Sequence, residues 1–212
     1  VLLVMLPAIF AGGIMQINIL VDTIFASLLE TGSPTWLYIS DRLIQLPMGI
    51  FAIAIGTVLL PLLSKIDFNN NKIEFINNVR KGQRLVLLIG LPSCIGIFFC
   101  SEAIIATIFY RGEFTYIDVI KTSLSLKVLA LGLPFSMLMK ILIPSFFSRK
   151  LTRAPVLVAA ISLILNIFLN YVFAFIYGYG HIGIAIGSSI AALISVLILE
   201  FILIKDGVVK LM

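Results

Sequence analysis

Long apolar runs alternate with short polar connections along almost the whole chain. Six of these runs are long enough, or nearly so, to cross a bilayer as helices, which requires about 20 predominantly apolar residues. They cover residues 2–29, 35–63, 82–101, 117–146, 154–177 and 182–204. Strands are not expected, because an open sheet edge leaves unpaired backbone groups in hydrocarbon and no run shows the alternation of a membrane barrel. The pattern predicts an all-α integral membrane protein with about six transmembrane helices.

The connections between these runs differ in length and polarity. The first, residues 30–34, is a short turn, which predicts that the first two helices form a tight antiparallel pair. Residues 65–84 form the most polar segment, and within it Ile73, Ile76 and Val79 recur three residues apart. This spacing favours a short amphipathic helix on the cytoplasmic membrane surface. A plain solvated loop is the alternative for this connection.

Basic residues predict the orientation of the helices. Ten of the fifteen Lys and Arg residues lie in the connections after the second and fourth helices and in the tail. They are Lys65, Lys72, Arg80, Lys81, Arg84, Arg149, Lys150, Arg153, Lys205 and Lys210. Connections rich in Lys and Arg remain in the cytoplasm. The first, third and fifth helices are therefore expected to run outward.

Composition supports the membrane assignment and narrows the class of function. The chain is 61% hydrophobic and 12% charged, whereas soluble domains carry about 25% charged residues. Its net charge of +5 forms no basic stripe with interleaved aromatic residues, so membrane lipids rather than nucleic acid are the expected partners. No nucleophile–base set, phosphate-binding loop or zinc motif is present, which favours a transporter over an enzyme.

Cysteine and histidine offer no obvious ligand set. Cys94 and Cys100 lie six residues apart, on different faces of a helix, and His181 stands in a turn without Cys or His neighbours. We therefore expect no mutual disulfide and no transition-metal site at these residues.

Polar residues inside the apolar runs are the candidate functional residues, because ionisable groups at membrane depth are energetically costly. Asp22, Arg42 and Asn170 each lie about seven residues from a predicted outer helix end, roughly 10 Å below the surface at 1.5 Å per residue. Asn166 lies one turn deeper than Asn170, on the same helix face. Asp22, Asn166 and Asn170 together offer oxygen ligands for a small cation such as Na⁺, or a proton site.

Arg42 is the candidate for contact with an anionic substrate group, because its guanidinium fork matches phosphate. Asp41 beside it and the deeper Lys127 complete the predicted substrate-binding set, with Arg42 and Lys127 adding positive charge to a water-filled cavity. Lys140, nearer a cytoplasmic helix end, is expected to extend to the membrane surface. In the alternative interpretation, Asp22 or Asp41 pairs with Arg42, and the two Asn residues bond helix to helix.

Several segments resemble the second half of the lipid II flippases, the MurJ/MviN family. They read QINILVDTIFAS, GSPTWLYISDRLIQLPMGIFAIAIGTVLLPLLS, IFYRGEFT, LALGLPFSMLMKILIPSFFSRKLTRAP and GHIGIAIGSS, in that order. The resemblance implies most of one lobe of a two-lobed, alternating-access transporter of the multidrug/oligosaccharidyl-lipid/polysaccharide exporter superfamily. It also implies translocation of the undecaprenyl-pyrophosphate-linked peptidoglycan precursor across the bacterial inner membrane, for cell-wall synthesis. The first lobe, absent from this chain, is then an expected partner.

The resemblance also suggests roles for individual residues. Arg42 matches the family's cavity arginine in the DRL motif, and Asp22 matches the acidic residue of the LVDT segment. Asn166 and Asn170 fall in the corresponding ion-site helix, with Na⁺ or H⁺ as the implied coupling ion. The chain departs from the family pattern in reading SDRL for ADRL and in lacking the acid of the usual FYAR-D-T-x-TP segment. Another exporter of the same superfamily, for polysaccharide-linked lipid or drugs, and a non-transporting scaffold are the alternatives.

Overall fold

The computed structural model describes residues 2–68 and 70–205, and their side chains from Gly13 onward except that of Met15. These residues form six helical segments joined by short connections. They are α1 (Leu2–Ser27), α2 (Ser33–Lys65), α3 (Lys72–Phe109), α4 (Tyr116–Ser148), α5 (Arg153–Ile176) and α6 (His181–Lys205). Within the described residues, the five segments α2 to α6 have the length and apolar composition needed to cross a membrane. The predicted all-helical membrane fold is confirmed.

Helix α3 differs from the sequence-based expectation. The prediction placed an amphipathic connection over residues 65–84 and a separate spanning helix over 82–101. In the structure, one continuous helix of 38 residues runs from Lys72 to Phe109. At 1.5 Å per residue it is about 57 Å long, well beyond a hydrocarbon core of about 30 Å. The polar segment is therefore largely the first turns of a spanning helix rather than a separate helix on the membrane surface.

Packing against α2 and α4 explains why α3 continues through its polar start. Phe75 and Val79 are 1% and 0% exposed, whereas Ile73 is 77% exposed. The buried stripe therefore includes Val79 and part of Ile76 from the predicted stripe, but Phe75 takes the place of Ile73. Gly82 does not interrupt the helix. Because it has no Cβ, it lets α3 approach Leu59 and Ile141 closely.

Helix α4 is the centre of the bundle and packs against α2, α3 and α6. It contributes Leu126, Leu133, Met137 and Ile141, all fully buried. Helix α5 packs on the other side of α6, and α1 packs against α5. The chain thus has two groups of helices, α2–α3–α4 and α1–α5–α6, joined through the α4–α6 contact.

Helix α2 is irregular near its middle. Pro47 is followed by a π-helical stretch, Met48–Ile53, because proline removes a backbone donor and crowds the preceding turn. Beyond this stretch α2 lies very close to α4: a Cβ on Gly56 would be 2.6 Å from the Lys140 carbonyl oxygen. Before it, Ser40 Oγ donates to the Thr122 carbonyl of α4 at 3.0 Å. The two helices therefore run parallel and in contact over most of their length.

A cluster of polar and aromatic side chains, here called the tryptophan cluster, joins the α1–α2 turn to the starts of α4 and α6. Trp36 Nε1 donates to Asp118 Oδ1 at 2.8 Å, and the Lys121 ammonium lies 4.6 Å from the Trp36 ring centre while pairing with Glu30. His181, which is buried, packs against Trp36 with the two rings tilted at 58°, and places Nε2 3.1 Å from the Lys121 carbonyl oxygen. This cluster gives His181 a packing role that the sequence did not suggest.

Candidate functional site

A cavity of about 870 Å³ lies between α1, α2, α4, α5 and α6. Most of its wall is aliphatic, with the polar side chains distributed along its length. The polar lining residues are Asn18, Asp22, Thr23, Thr35, Tyr38, Asp41, Gln45, Ser136, Lys140, Ser162, Ser188 and Ser189. This volume is within the range of small-molecule sites in proteins, about 300–1,000 Å³. The chain therefore contains a binding-sized cavity between its two groups of helices.

Asp22, Asn166, Asn170 and Ser188 form a hydrogen-bonded group at this cavity, here called the polar cluster. Asn170 Nδ2 donates to Asp22 Oδ1 at 2.6 Å and to Asn166 Oδ1 at 2.9 Å. Asn166 Nδ2 donates to Ser188 Oγ at 3.0 Å, and Ser188 Oγ donates to Asp22 Oδ2 at 3.3 Å. The structure thus brings together the three residues predicted for the ion site and adds Ser188, from α6. The signal for Ser188 was its position in GHIGIAIGSS, a segment noted only for its resemblance to the family.

A close approach of α6 to α5 builds this cluster. A Cβ on Gly187 would lie 2.3 Å from Asn170 Oδ1, and one on Gly183 would lie 2.6 Å from the Ala174 nitrogen. Glycine at both positions therefore lets the α5 amides reach Asp22 on α1. Asn166 and Asn170 are completely buried as a result.

The donor set of the polar cluster suits a small hard cation or a proton. It offers one carboxylate, two amide oxygens and a hydroxyl, the oxygen ligands that such ions prefer. The Oδ1 atoms of Asn170 and Asn18 are buried without a hydrogen-bond partner in the described structure, and such an acceptor is available to a cation. Among the described residues, no group of three or more His, Cys, Asp and Glu side chains forms a transition-metal site.

Arg42 lies at the edge of the cavity. Its side chain is exposed, its Nη1 donates to Gln45 Oε1 at 3.1 Å, and its Cζ lies 4.8 Å from the Tyr38 ring centre. Gln45 in turn donates to Asp41, and Tyr38, Asp41 and Gln45 all line the cavity. Within the described part of the chain, Arg42 forms no ion pair with Asp22 or Asp41. Among these residues the direct ion pair of the alternative interpretation is therefore not formed, although Asp41 interacts with Arg42 electrostatically. The interhelical Asn hydrogen bonds of that interpretation are present.

The two lysines inside α4, Lys127 and Lys140, lie differently with respect to the cavity. Lys127 is half-buried but does not line the cavity, whereas Lys140 does. Thirteen residues separate them, which at 3.6 residues per turn places them about 140° apart around the helix axis. Lys127 therefore does not line this cavity, and its contact with substrate stays a prediction. Lys140, which was expected to extend to the membrane surface, has its side chain on the cavity wall.

Comparison with known proteins identifies the family. A family model described as "Lipid II flippase MurJ" matches residues 1–211. The chain belongs to this family. It is 40% identical over 195 residues to a probable lipid II flippase MurJ of Vibrio cholerae, covering 92% of this chain and 37% of that protein. It is 33% identical over 208 residues to a lipid II flippase MurJ of Burkholderia cenocepacia, covering 98% of this chain and 40% of the relative.

Solved structures give the same fold. A lipid II flippase MurJ in an inward closed conformation matches with a TM-score of 0.83 and 34% identity, covering 95% of this chain and 43% of that chain. An outward-facing MATE family transporter of the MOP superfamily matches with a TM-score of 0.83 at 16% identity, which shows a shared fold alone. The chain spans about two fifths of the length of these relatives. It is a multi-pass membrane protein with the fold of one part of such transporters.

Proposed function

We propose that this chain is most of the second lobe of a lipid II flippase of the bacterial inner membrane. The protein containing it moves the lipid-linked peptidoglycan precursor across that membrane by alternating access, as a transporter rather than an enzyme. Membership of the MurJ family supports this proposal, as does the cavity between the helices. The observation that carries it is Arg42, an exposed guanidinium at the cavity edge that forms no ion pair with any carboxylate of the described residues.

Arg42 serves to hold the pyrophosphate of the cargo. A guanidinium forms two parallel hydrogen bonds to phosphate oxygens, and such charge-assisted bonds are about twice as strong as neutral ones. Tyr38 and Gln45 position the Arg42 side chain, while Asp41 holds Gln45 through a second hydrogen bond. Because Arg42 is exposed in this lobe, it is available to a cargo that lies between two lobes.

The polar cluster serves as the site of the coupling ion, either Na⁺ or H⁺. Asp22, Asn166, Asn170 and Ser188 come from three helices, so an ion held among them stabilises one arrangement of those helices. A ligand shifts a conformational equilibrium only by its difference in affinity for the two states. Ion binding to one arrangement of α1, α5 and α6 therefore biases the protein toward one state of the transport cycle.

A second candidate is another exporter of the same superfamily, because the fold is shared with a MATE transporter. A carrier of cationic drugs is expected to present acids to its cargo, whereas the exposed charge here is Arg42. A non-transporting scaffold needs no exposed arginine at the edge of a cavity. Arg42 therefore favours an anionic, phosphorylated cargo over both alternatives.

The decisive experiment is complementation of flippase-depleted bacteria with the full-length gene that contains this chain. Arg42→Ala is expected to abolish growth support at normal protein levels, while Arg149→Ala, on the basic side between α4 and α5, retains it. Normal growth with Arg42→Ala would refute the role of Arg42. Failure of the unaltered gene to support growth would refute the flippase assignment.

A further inference from the structure

Lys140 is a membrane-embedded cation that the proposed role of Arg42 leaves unexplained. It lies eight residues before the end of α4 at Ser148, about 12 Å along the helix axis. Its side chain lines the cavity and is only partly exposed. Of the described residues, none forms a hydrogen bond or ion pair with its ammonium group. An unpaired charge at this depth is costly, and water or a bound anion stabilises the charged form.

The wall around Lys140 indicates the kind of anion. Ser136 lies one turn away on the same helix, and Ser162 of α5 also lines the cavity. The remaining neighbours on the wall are mostly aliphatic or aromatic, among them Met139, Ile143 and Phe147. A single ammonium with a few hydroxyls in an otherwise apolar cavity matches an amphiphile with an anionic head and a hydrocarbon chain.

Lys140 and Arg42 lie at different depths of the same bundle. Because Gly56 of α2 contacts the Lys140 carbonyl, Lys140 is level with Gly56. Gly56 and Arg42 are fourteen residues apart on α2, which corresponds to roughly 20 Å along the helix. One cation therefore stands at the cavity edge near the start of α2, and another lines the cavity toward the end of α4.

We propose that Lys140 forms a second anion site, which binds the phosphate head of an isoprenoid lipid while the lipid chain lies against the aliphatic wall. This proposal rests on the proposed function, since it assigns a second phosphate contact to the same cargo class. The lipid phosphate is preferred over free phosphate because the wall offers far more apolar than polar contact.

Binding of farnesyl diphosphate to the purified full-length protein tests this site, with farnesol and inorganic pyrophosphate as comparison probes. In an Arg42→Ala background, which removes the other proposed pyrophosphate contact, Lys140→Gln is expected to weaken farnesyl diphosphate binding about tenfold or more, because a charge-assisted hydrogen bond is lost. Lys140→Arg is expected to retain affinity within about threefold, since the charge is kept. Lys205→Gln, at the exposed end of α6, is the matched control and should bind as the unaltered protein does.

Each outcome decides the proposal. Unchanged farnesyl diphosphate binding by Lys140→Gln would overturn the site, and pyrophosphate binding as tight as that of farnesyl diphosphate would overturn the lipid assignment. A second experiment uses the unaltered protein, so that it tests the site even if the Lys140→Gln variant does not fold. Farnesyl diphosphate, but not farnesol, should protect Lys140 from an amine-acetylating reagent, read by peptide mass spectrometry, and absence of protection would also overturn the site. These readouts do not depend on growth, so loss of the flippase assignment leaves them interpretable.

Discussion

Asp22 provides the negative charge of the polar cluster, and its two oxygens accept hydrogen bonds from α5 and α6. Asp22→Asn keeps the size of the side chain but removes the charge that a cation needs. If the coupling ion is Na⁺, the full-length protein should gain thermal stability with rising NaCl relative to KCl, because a ligand that binds only the folded state stabilises it. We expect Asp22→Asn to abolish this gain.

Glu113→Gln, in the exposed turn between α3 and α4, is the control for a general loss of charge and should keep the Na⁺ response. A proton-coupled protein would instead show no Na⁺ response, together with a pH dependence of transport that Asp22→Asn removes. A variant whose ion and pH dependence both equal those of the unaltered protein would contradict the ion site.

Gly187 is the position where one methyl group has the largest expected effect on the cluster. A Cβ there would lie 2.3 Å from Asn170 Oδ1, so Gly187→Ala must displace Asn170 or separate α5 from α6. Overpacking of this kind costs about 1–3 kcal/mol. We expect a lower melting temperature in detergent and a weakened ion response.

Gly96→Ala is the matched control, because nothing lies within 4 Å of its Cβ position on α3. Alanine is the better helix former by about 1 kcal/mol, so this variant should be as stable as the unaltered protein or more so. Equal effects of the two substitutions would show that Gly187 is not packed as described.

The sequence predicted the part of the polar cluster that depends on the geometry of a single helix. The i, i+4 spacing placed Asn166 and Asn170 on one face, and depth along the membrane placed Asp22 near them. Ser188 was missed and Lys140 was assigned to the membrane surface, because their positions depend on how α4 and α6 are rotated against their neighbours. That rotation is set by long-range contacts, such as those at Gly187 and Gly56, which no local pattern reveals.

At the scale of elements, the tryptophan cluster combines a partly buried hydrogen bond with a more exposed ion pair. Trp36 is 3% exposed and donates to the Asp118 carboxylate, whereas the Glu30 side chain is 64% exposed. Hydrogen bonds to charged groups contribute about 1.5–3 kcal/mol, while exposed ion pairs contribute about 0–1 kcal/mol. The Trp36 contact should therefore dominate the stability of this junction.

We expect Trp36→Phe to lower the free energy of unfolding by about 2 kcal/mol, and Glu30→Gln by less than about 1 kcal/mol. Chemical unfolding in detergent measures both values. The effect of Glu30→Gln should vanish at high salt because salt screens exposed charges, whereas that of Trp36→Phe should persist. The reverse order of the two effects would contradict this description of the junction.

Most helices of the fold were predictable as elements, because hydrophobic length alone defines a spanning segment. Helix α3 was the exception, since its polar first turns suggested a separate element. Its contacts with α2 and α4, through Phe75 and Val79, are long-range and extend the helix beyond the apolar run.

At the scale of the whole molecule, ten of the fifteen basic residues belong to one end of the bundle. They lie at the ends of α2, α4 and α6 and toward the starts of α3 and α5, with Lys210 outside the described residues. By the positive-inside rule we expect this end to face the cytoplasm. Labelling of introduced cysteines can test this orientation. Cys100 is exposed and is removed first, whereas Cys94 is buried and should not react.

In that background, Glu113→Cys should react with a membrane-impermeant maleimide added to intact spheroplasts, while Asn70→Cys should react only after permeabilisation. Both positions are exposed, so accessibility within the protein does not distinguish them. The opposite labelling pattern would invert the orientation.

The π-helical stretch in α2 has a consequence for how this helix meets its neighbour. Ser40 and Gly56 both contact α4 although sixteen residues separate them, which on a regular helix would place them about 160° apart. A single surplus residue rotates a helix face by about 100°. Without the wider turn, the half of α2 that carries Ala52 and Gly56 would point away from α4 whenever the half that carries Ser40 and Ile44 points toward it. The wider turn at Met48–Ile53 thus rotates the second half of α2 back toward α4, so that the two helices stay in contact along most of their length.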